Sequence, residues 1–183
     1  MESKLKLELE GLHRTHPGLT ASLAGSYCEA AAVVFCRHHT PPFEIEIVDS
    51  GGTVARRVVS LSSPDPRAQA ANANANDAIT AAAYCVSLAA VEDREQLVAV
   101  GRAETGTGAD WYVAPRGHDR EDLEDCYRLE VSGVESGDMT RVRGRLKQKV
   151  AQTRKGVSNV PALASVVGFK ERYVVIEAAG ELP

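Results

Sequence analysis

The order of expected elements predicts an α/β (α+β) fold, a mixed central sheet flanked by helices. Three observations carry this. Apolar residues recur at helical spacing in three segments, from Thr20 to Phe35, from Asp77 to Ala90 and from Met139 to Lys155. Between and after them stand short apolar or alternating runs closed by glycine and proline, the pattern of strands. The chain of 183 residues is 44% hydrophobic and 25% charged, enough for one domain with a real core and too apolar for a disordered chain. A single domain is expected over 1–183, with a helix and hairpin in 1–66 and an α-β-β-β-α-β core in 77–177.

Residues 1–18 are polar, with Leu5, Leu7, Leu9 and Leu12 as their apolar positions, which fits a short strand or a frayed helix. Thr20 is placed to cap a helix, because its hydroxyl accepts from a free N–H of the first turn. Leu23, Tyr27, Ala31, Val34 and Phe35 give that helix one apolar face, and Pro41-Pro42 stops it. Phe43-Glu44-Ile45-Glu46-Ile47 has the two-residue period of a strand with one wet face. Asp49-Ser50-Gly51-Gly52 is turn chemistry, so 43–61 reads as a β-hairpin. The tract 67–76 (RAQAANANAN) is a linker or a loose helix start, with Asn76 or Asp77 as the cap of the next helix. Strands are then expected at Leu97–Ala103, Ala109–Ala114 and Tyr127–Val131, with Gly106-Thr107-Gly108 turning between the first two. Asp138 caps a helix to about Lys155, and Val166–Phe169 and Tyr173–Ile176 form one last strand or two.

The function classes are narrowed by charge and cysteine. The net charge is −4, so any anion-binding surface is local. No membrane-length apolar run and no basic-then-apolar leader are present, which points to a soluble, cytoplasmic protein with no membrane partner. Cys28, Cys36, Cys85 and Cys126 have no CxxC spacing and are expected to be reduced and mostly buried. Cys28 and Cys36 are eight residues apart, two turns of one helix, too far to share a metal with His38 and His39.

Two features point to chemistry. Asp110 opens one strand and Glu130 lies inside the next, on the face shared with Arg128 and Ser132 and opposite Leu129 and Val131. Two carboxylates on neighbouring strands converge on one side of a sheet, and paired carboxylates are what Mg²⁺ takes. The same residues also suit a solvated polar face. The second feature is the acid-free helix carrying Arg141, Arg143, Arg145, Lys147, Lys149, Arg154 and Lys155. Charge of this density favours phosphate backbones, or it pairs with the acids of 119–125. Trp111 reads as a core anchor.

The order helix–strand–strand–strand–helix–strand, with Asp110 on the second strand and Glu130 on the third, resembles the PD-(D/E)XK nuclease superfamily. The resemblance implies a restriction-endonuclease-like core over 77–177, with metal held by Asp110 and Glu130 and an extra acid from Glu104 or Glu92. Ser132 stands where the family has its lysine. Some relatives move that lysine to the following helix, which makes Lys147 or Lys149 the catalytic candidate and Arg141, Arg143, Arg145, Lys147 and Lys149 the nucleic-acid contacts. The expected function is Mg²⁺-dependent cleavage of DNA or RNA, or a degenerate subunit of a bacterial defence-type complex. The competing expectation is a non-enzymatic adaptor. Its hairpin edge or basic helix would dock a partner protein or a second copy.

Overall fold

A computed structural model describes residues 5–118, 125–155 and 158–180. The elements are helices α1 (Ala21–Cys36), α2 (Pro66–Ala71), α3 (Ala75–Glu95) and α4 (Met139–Lys155), and strands β1 (Phe43–Val48), β2 (Val54–Val59), β3 (Leu97–Arg102), β4 (Trp111–Pro115), β5 (Tyr127–Val134), β6 (Ala162–Gly168) and β7 (Tyr173–Ala178). All seven strands form one mixed sheet in the order β2-β1-β7-β6-β5-β4-β3. The β1–β2, β3–β4, β4–β5 and β6–β7 pairs are antiparallel, and β1–β7 and β5–β6 are parallel.

Helices cover both faces. On one side α1 and α3 bury Tyr27, Val34, Phe35, Val86 and Leu88 against Ile45, Ile47, Trp111, Leu129, Leu163 and Ile176 of the sheet. On the other, Val142, Leu146 and Val150 of α4 pack on Val134, Ala164 and Val166. The β5–α4–β6 crossover is therefore what covers the face expected to be wet. Glu130 and Arg128 end up only 4% and 5% exposed. Gly133 marks how closely α3 approaches β5: a Cβ there would stand 2.5 Å from Ile79 Cγ2.

Local chemistry explains the boundaries. Thr20 Oγ1 accepts from Leu23 N at 3.2 Å, as its sequence position predicts. The alanine-asparagine tract is more ordered than a linker. Asp65 caps α2, Pro66 stands at its first position, and Asn74, two residues before the expected cap, accepts from Asn76 N and Asp77 N to start α3. β4 starts at Trp111, so Asp110 precedes it, and β5 runs on to Val134. The last segment is two strands, β6 and β7, joined at Lys170-Glu171-Arg172. Of the acidic loop, 119–124 lie outside the described residues, so its pairing with the basic helix lies outside them too.

The first residues bind both outer strands. Leu7 N donates to Val58 O and Val58 N to Leu5 O on β2, at 3.0 and 2.9 Å. At the other edge Gly18 N donates to Ala99 O at 2.8 Å, and His16 Nδ1 accepts from Ala99 N at 2.8 Å. A side chain at Gly18 would strike the backbone of Gly101 and Val100 at 2.6 and 2.7 Å. Residues 5–18 thus occupy hydrogen-bonding groups that an edge strand otherwise offers to another chain.

His16 makes this clasp pH-dependent. Because Nδ1 accepts, Nε2 carries the hydrogen and donates to Glu92 Oε2 at 3.0 Å. Burial lowers its pKa below the usual 6.5, against the pull of Glu92 upward. A lowered pKa for a cationic acid means the folded state binds fewer protons, so this contribution is present above pH 6.5 and is lost as pH falls through the folded value. The melting temperature of the wild type is expected to fall between pH 7 and 5 more steeply than that of His16→Gln; parallel pH profiles would refute this.

The four cysteines form no disulfide: Cys85 and Cys126 are buried and Cys28 and Cys36 half-buried. Thiol titration in denaturant without reductant is expected to return four groups, and a count of two would overturn the assignment. No described helix is long and apolar enough to cross a membrane.

Candidate functional site

Asp110 is held by backbone and side chain together. The turn before it uses Gly106 and Gly108 at φ 93° and 68°, conformations that favour glycine. Asp110 N then donates to Leu129 O at 2.9 Å and its carbonyl accepts from Ala103 N at 3.1 Å. Its carboxylate is fixed as well: Oδ1 accepts from the Tyr84 hydroxyl at 2.7 Å and Oδ2 from Val131 N at 2.8 Å. Burial and the bond to Asp110 push the Tyr84 phenol up to about 12, which keeps it a donor.

Glu130 is the cross-strand neighbour. Trp111 pairs with Leu129 in an antiparallel ladder, and one step further brings Asp110 level with Glu130. Burial raises the Glu130 carboxyl above its ordinary value, and the charge of Asp110 adds to the rise. Lys149, reaching across from α4, opposes it, with Nζ 2.5 Å from Glu130 Oε1. Three elements, the β4 entry, β5 and α4, therefore place an aspartate, a glutamate and a lysine together.

Two clefts meet at this cluster. One, of about 480 Å³, is lined by Thr80, Tyr84, Asp110, Ser132, Arg141, Arg145 and Lys149 among others. The second, of about 620 Å³, runs past Arg102, Glu104, Asp110, Glu130, Lys149 and Lys155. Arg141, Arg145 and Lys149 are spaced by four residues, so one helix face carries all three into the first cleft. Arg143 instead lies near Tyr173 on the far side, and Lys147 is exposed without lining either cleft. The basic helix is thus split, and of the two lysine candidates Lys149 reaches the carboxylates.

The proposed extra acids do not join. Glu104 lines the second cleft but accepts from the Tyr112 hydroxyl at 2.9 Å, a bond that lowers its carboxyl. Glu92 is bound to His16, Thr15 and Arg116. Among the described residues no group of three or more His, Cys, Asp or Glu is placed to hold a metal. Two carboxylates still suit Mg²⁺, which commonly takes one or two from the protein and completes its six oxygens with water and phosphate. Asp110 meets that donor chemistry with one oriented oxygen pair, and Glu130 with the oxygen that Lys149 does not touch.

Tyr84 and Arg102 were not legible as site residues in the sequence. Tyr84 follows three alanines in α3, and nothing local says that its hydroxyl meets Asp110. Arg102 stacks its guanidinium 4.8 Å from the Tyr84 ring centre and 4.7 Å from that of Trp111, which ties the β3 end to the same support. No protein-family model matches this chain, and no curated protein or solved structure is significantly similar to it.

Proposed function

We propose that the chain is a nuclease-fold protein with a restriction-endonuclease-like core, and that it binds nucleic acid and cleaves phosphodiesters with Mg²⁺. The observation that carries this reading is the contact of Lys149 Nζ with Glu130, beside Asp110. It supplies from α4 the ammonium that Ser132 does not supply from β5. The element order α3-β3-β4-β5-α4-β6 supports the same core.

In this reading Asp110 and Glu130 would hold the ion, which would supply a water of lowered pKa and polarise the scissile phosphate. Tyr84 and Val131 N fix the angle at which Asp110 presents its oxygens. Lys149 turns its ammonium to the charge that grows on the phosphate oxygens. Arg141 and Arg145 lead the backbone to that point as positioning contacts. The reading also places the protein in the cytoplasm, as a subunit of a larger assembly or a homo-oligomer.

A cleavage assay with plasmid DNA and with single-stranded RNA, in Mg²⁺ and in EDTA, tests the activity. The two faces of α4 separate its roles. Arg141→Gln with Arg145→Gln is expected to lower nucleic-acid affinity about tenfold or more and to flatten its salt dependence by roughly two charges. Arg143→Gln with Lys147→Gln is expected to change both much less. Equal effects of the two pairs would remove the first cleft as the path of the backbone.

An adaptor that docks through the hairpin edge has less support, because Leu5 and Leu7 already bond to Val58 on β2. Absence of cleavage with Mg²⁺ and Mn²⁺, together with unchanged binding in both double variants, would favour a protein-docking role for the basic helix.

A further inference from the structure

The contact between Lys149 and Glu130 bears on how a cation reaches this site. The ammonium stands 2.5 Å from Glu130 Oε1, and Glu130 is 4% exposed. A divalent ion on either oxygen of that carboxylate would stand close to the ammonium, in a place with little water to screen the repulsion. The protein offers the ion little in compensation. Both Asp110 oxygens already accept hydrogen bonds, and among the described residues no third acid, histidine or cysteine completes a metal-holding group.

We propose that Lys149 is a cation placeholder: it neutralises Glu130 in the free protein and leaves it when a nucleic-acid phosphate enters the cleft, so that divalent metal and nucleic acid bind as a coupled pair. The inference rests on the reading of this cleft as a metal-dependent nucleic-acid site. Lys149 lines both clefts at the point where each reaches Asp110, so a phosphate in either lies within reach of its flexible stem. Its other partner, Gln152 Oε1 at 3.3 Å, belongs to a side chain that lines the second cleft, so the ammonium already has an alternative to Glu130 there. The phosphate then supplies both the counter-charge for Lys149 and the missing oxygens for the ion. Coupling of this kind is reciprocal: the ion tightens nucleic-acid binding by the factor by which nucleic acid tightens the ion.

The test measures binding rather than turnover. Mn²⁺ affinity is read from the paramagnetic resonance of the free ion with wild type, Lys149→Met and Asp110→Asn, without nucleic acid. In parallel, the anisotropy of a short labelled DNA duplex is followed in EDTA and in Ca²⁺. Lys149→Met is expected to bind Mn²⁺ about tenfold tighter than wild type, and Asp110→Asn not measurably. Ca²⁺ is expected to tighten duplex binding by wild type about tenfold, within the usual range of coupling between sites, and by Lys149→Met much less. If Lys149→Met binds Mn²⁺ no better than wild type while Mn²⁺-dependent cleavage by wild type is present, the placeholder role is wrong and the nuclease reading stands. If Mn²⁺ binds to no variant and Ca²⁺ leaves duplex affinity unchanged, both fall together. Should Lys149→Met fail to fold, the wild-type duplex arm decides: affinity indifferent to Ca²⁺ overturns the coupling.

Discussion

Asp110→Asn is expected to reduce Mg²⁺-dependent cleavage to background. In the proposed reading the amide loses the charge that would hold the ion, and it also loses one of its two acceptors. In the wild type Tyr84 and Val131 N donate to opposite oxygens of this carboxylate. Asparagine can satisfy one of them and turns an NH₂ toward the other donor, so stability is expected to fall by about 1–3 kcal/mol. The sequence alone suggests instead that removing one of two facing carboxylates relieves repulsion and leaves the melting temperature unchanged or slightly raised. The bonds from Tyr84 and Val131 N reverse that expectation for Asp110; Glu130 accepts one, from Lys149, which the amide oxygen of a glutamine can still accept.

Glu130→Gln is expected to abolish cleavage while stability changes by less than about 1 kcal/mol, because burial already disfavours the charged carboxyl there. The sign can be followed with pH. A raised folded-state pKa contributes stability that is complete below the ordinary 4.5 and is lost as pH rises through the folded value. Relative to wild type, Glu130→Gln is therefore expected to gain stability as pH rises through that window. Denaturant melts and cleavage assays on the two variants check both statements. Cleavage near the wild-type rate by either variant would remove the carboxylate pair from the chemistry.

Trp111→Ala is expected to have the largest effect on stability, about 3–5 kcal/mol. That is a large share of the roughly 5–15 kcal/mol typical of a domain. Trp111 is fully buried, with its ring edge-on to Tyr27 and Tyr84 at 6.3 and 6.0 Å and the Arg102 guanidinium over it. Its Nε1 makes no hydrogen bond among the described residues, so the loss is one of packing. The residue also backs Tyr84, and through it the Asp110 carboxylate. Trp111→Phe is expected to recover most of the stability by keeping the aromatic contacts. Urea unfolding of the three proteins measures this, and a loss below about 1.5 kcal/mol for Trp111→Ala would show that the cavity collapses without consequence.

Periodicity and caps were enough to read α1, the hairpin, α3, the strands and α4, because those signals lie within a few residues of one another. Thr20 as the α1 cap and Val142, Leu146 and Val150 as the buried line of α4 are both local in this sense. The face of β5 was legible too: Leu129 and Val131 turn to α3, and Glu130 turns to the other side. Boundaries set by long-range hydrogen bonds were not. Asp110 stands outside β4, and β6 and β7 are bounded partly by β5 and β1, partners far along the chain.

The residue types of the site, an aspartate, a glutamate and a line of basic side chains, are thus a property of the amino-acid order. Which of them meet was decided by the β5–α4–β6 crossover. It lays α4 over a sheet face that alternation marks as open to water. It brings Lys149 to Glu130, turns Lys147 and Arg143 away, and leaves Glu104 and Glu92 with other partners. A helix repeats every 3.6 residues, so local pattern assigns Lys147 and Lys149 to different faces. The direction in which the helix crosses the sheet then determines which face the carboxylates see, and that direction is set by the apolar packing of Val142, Leu146 and Val150 on β6, not by the charged residues themselves.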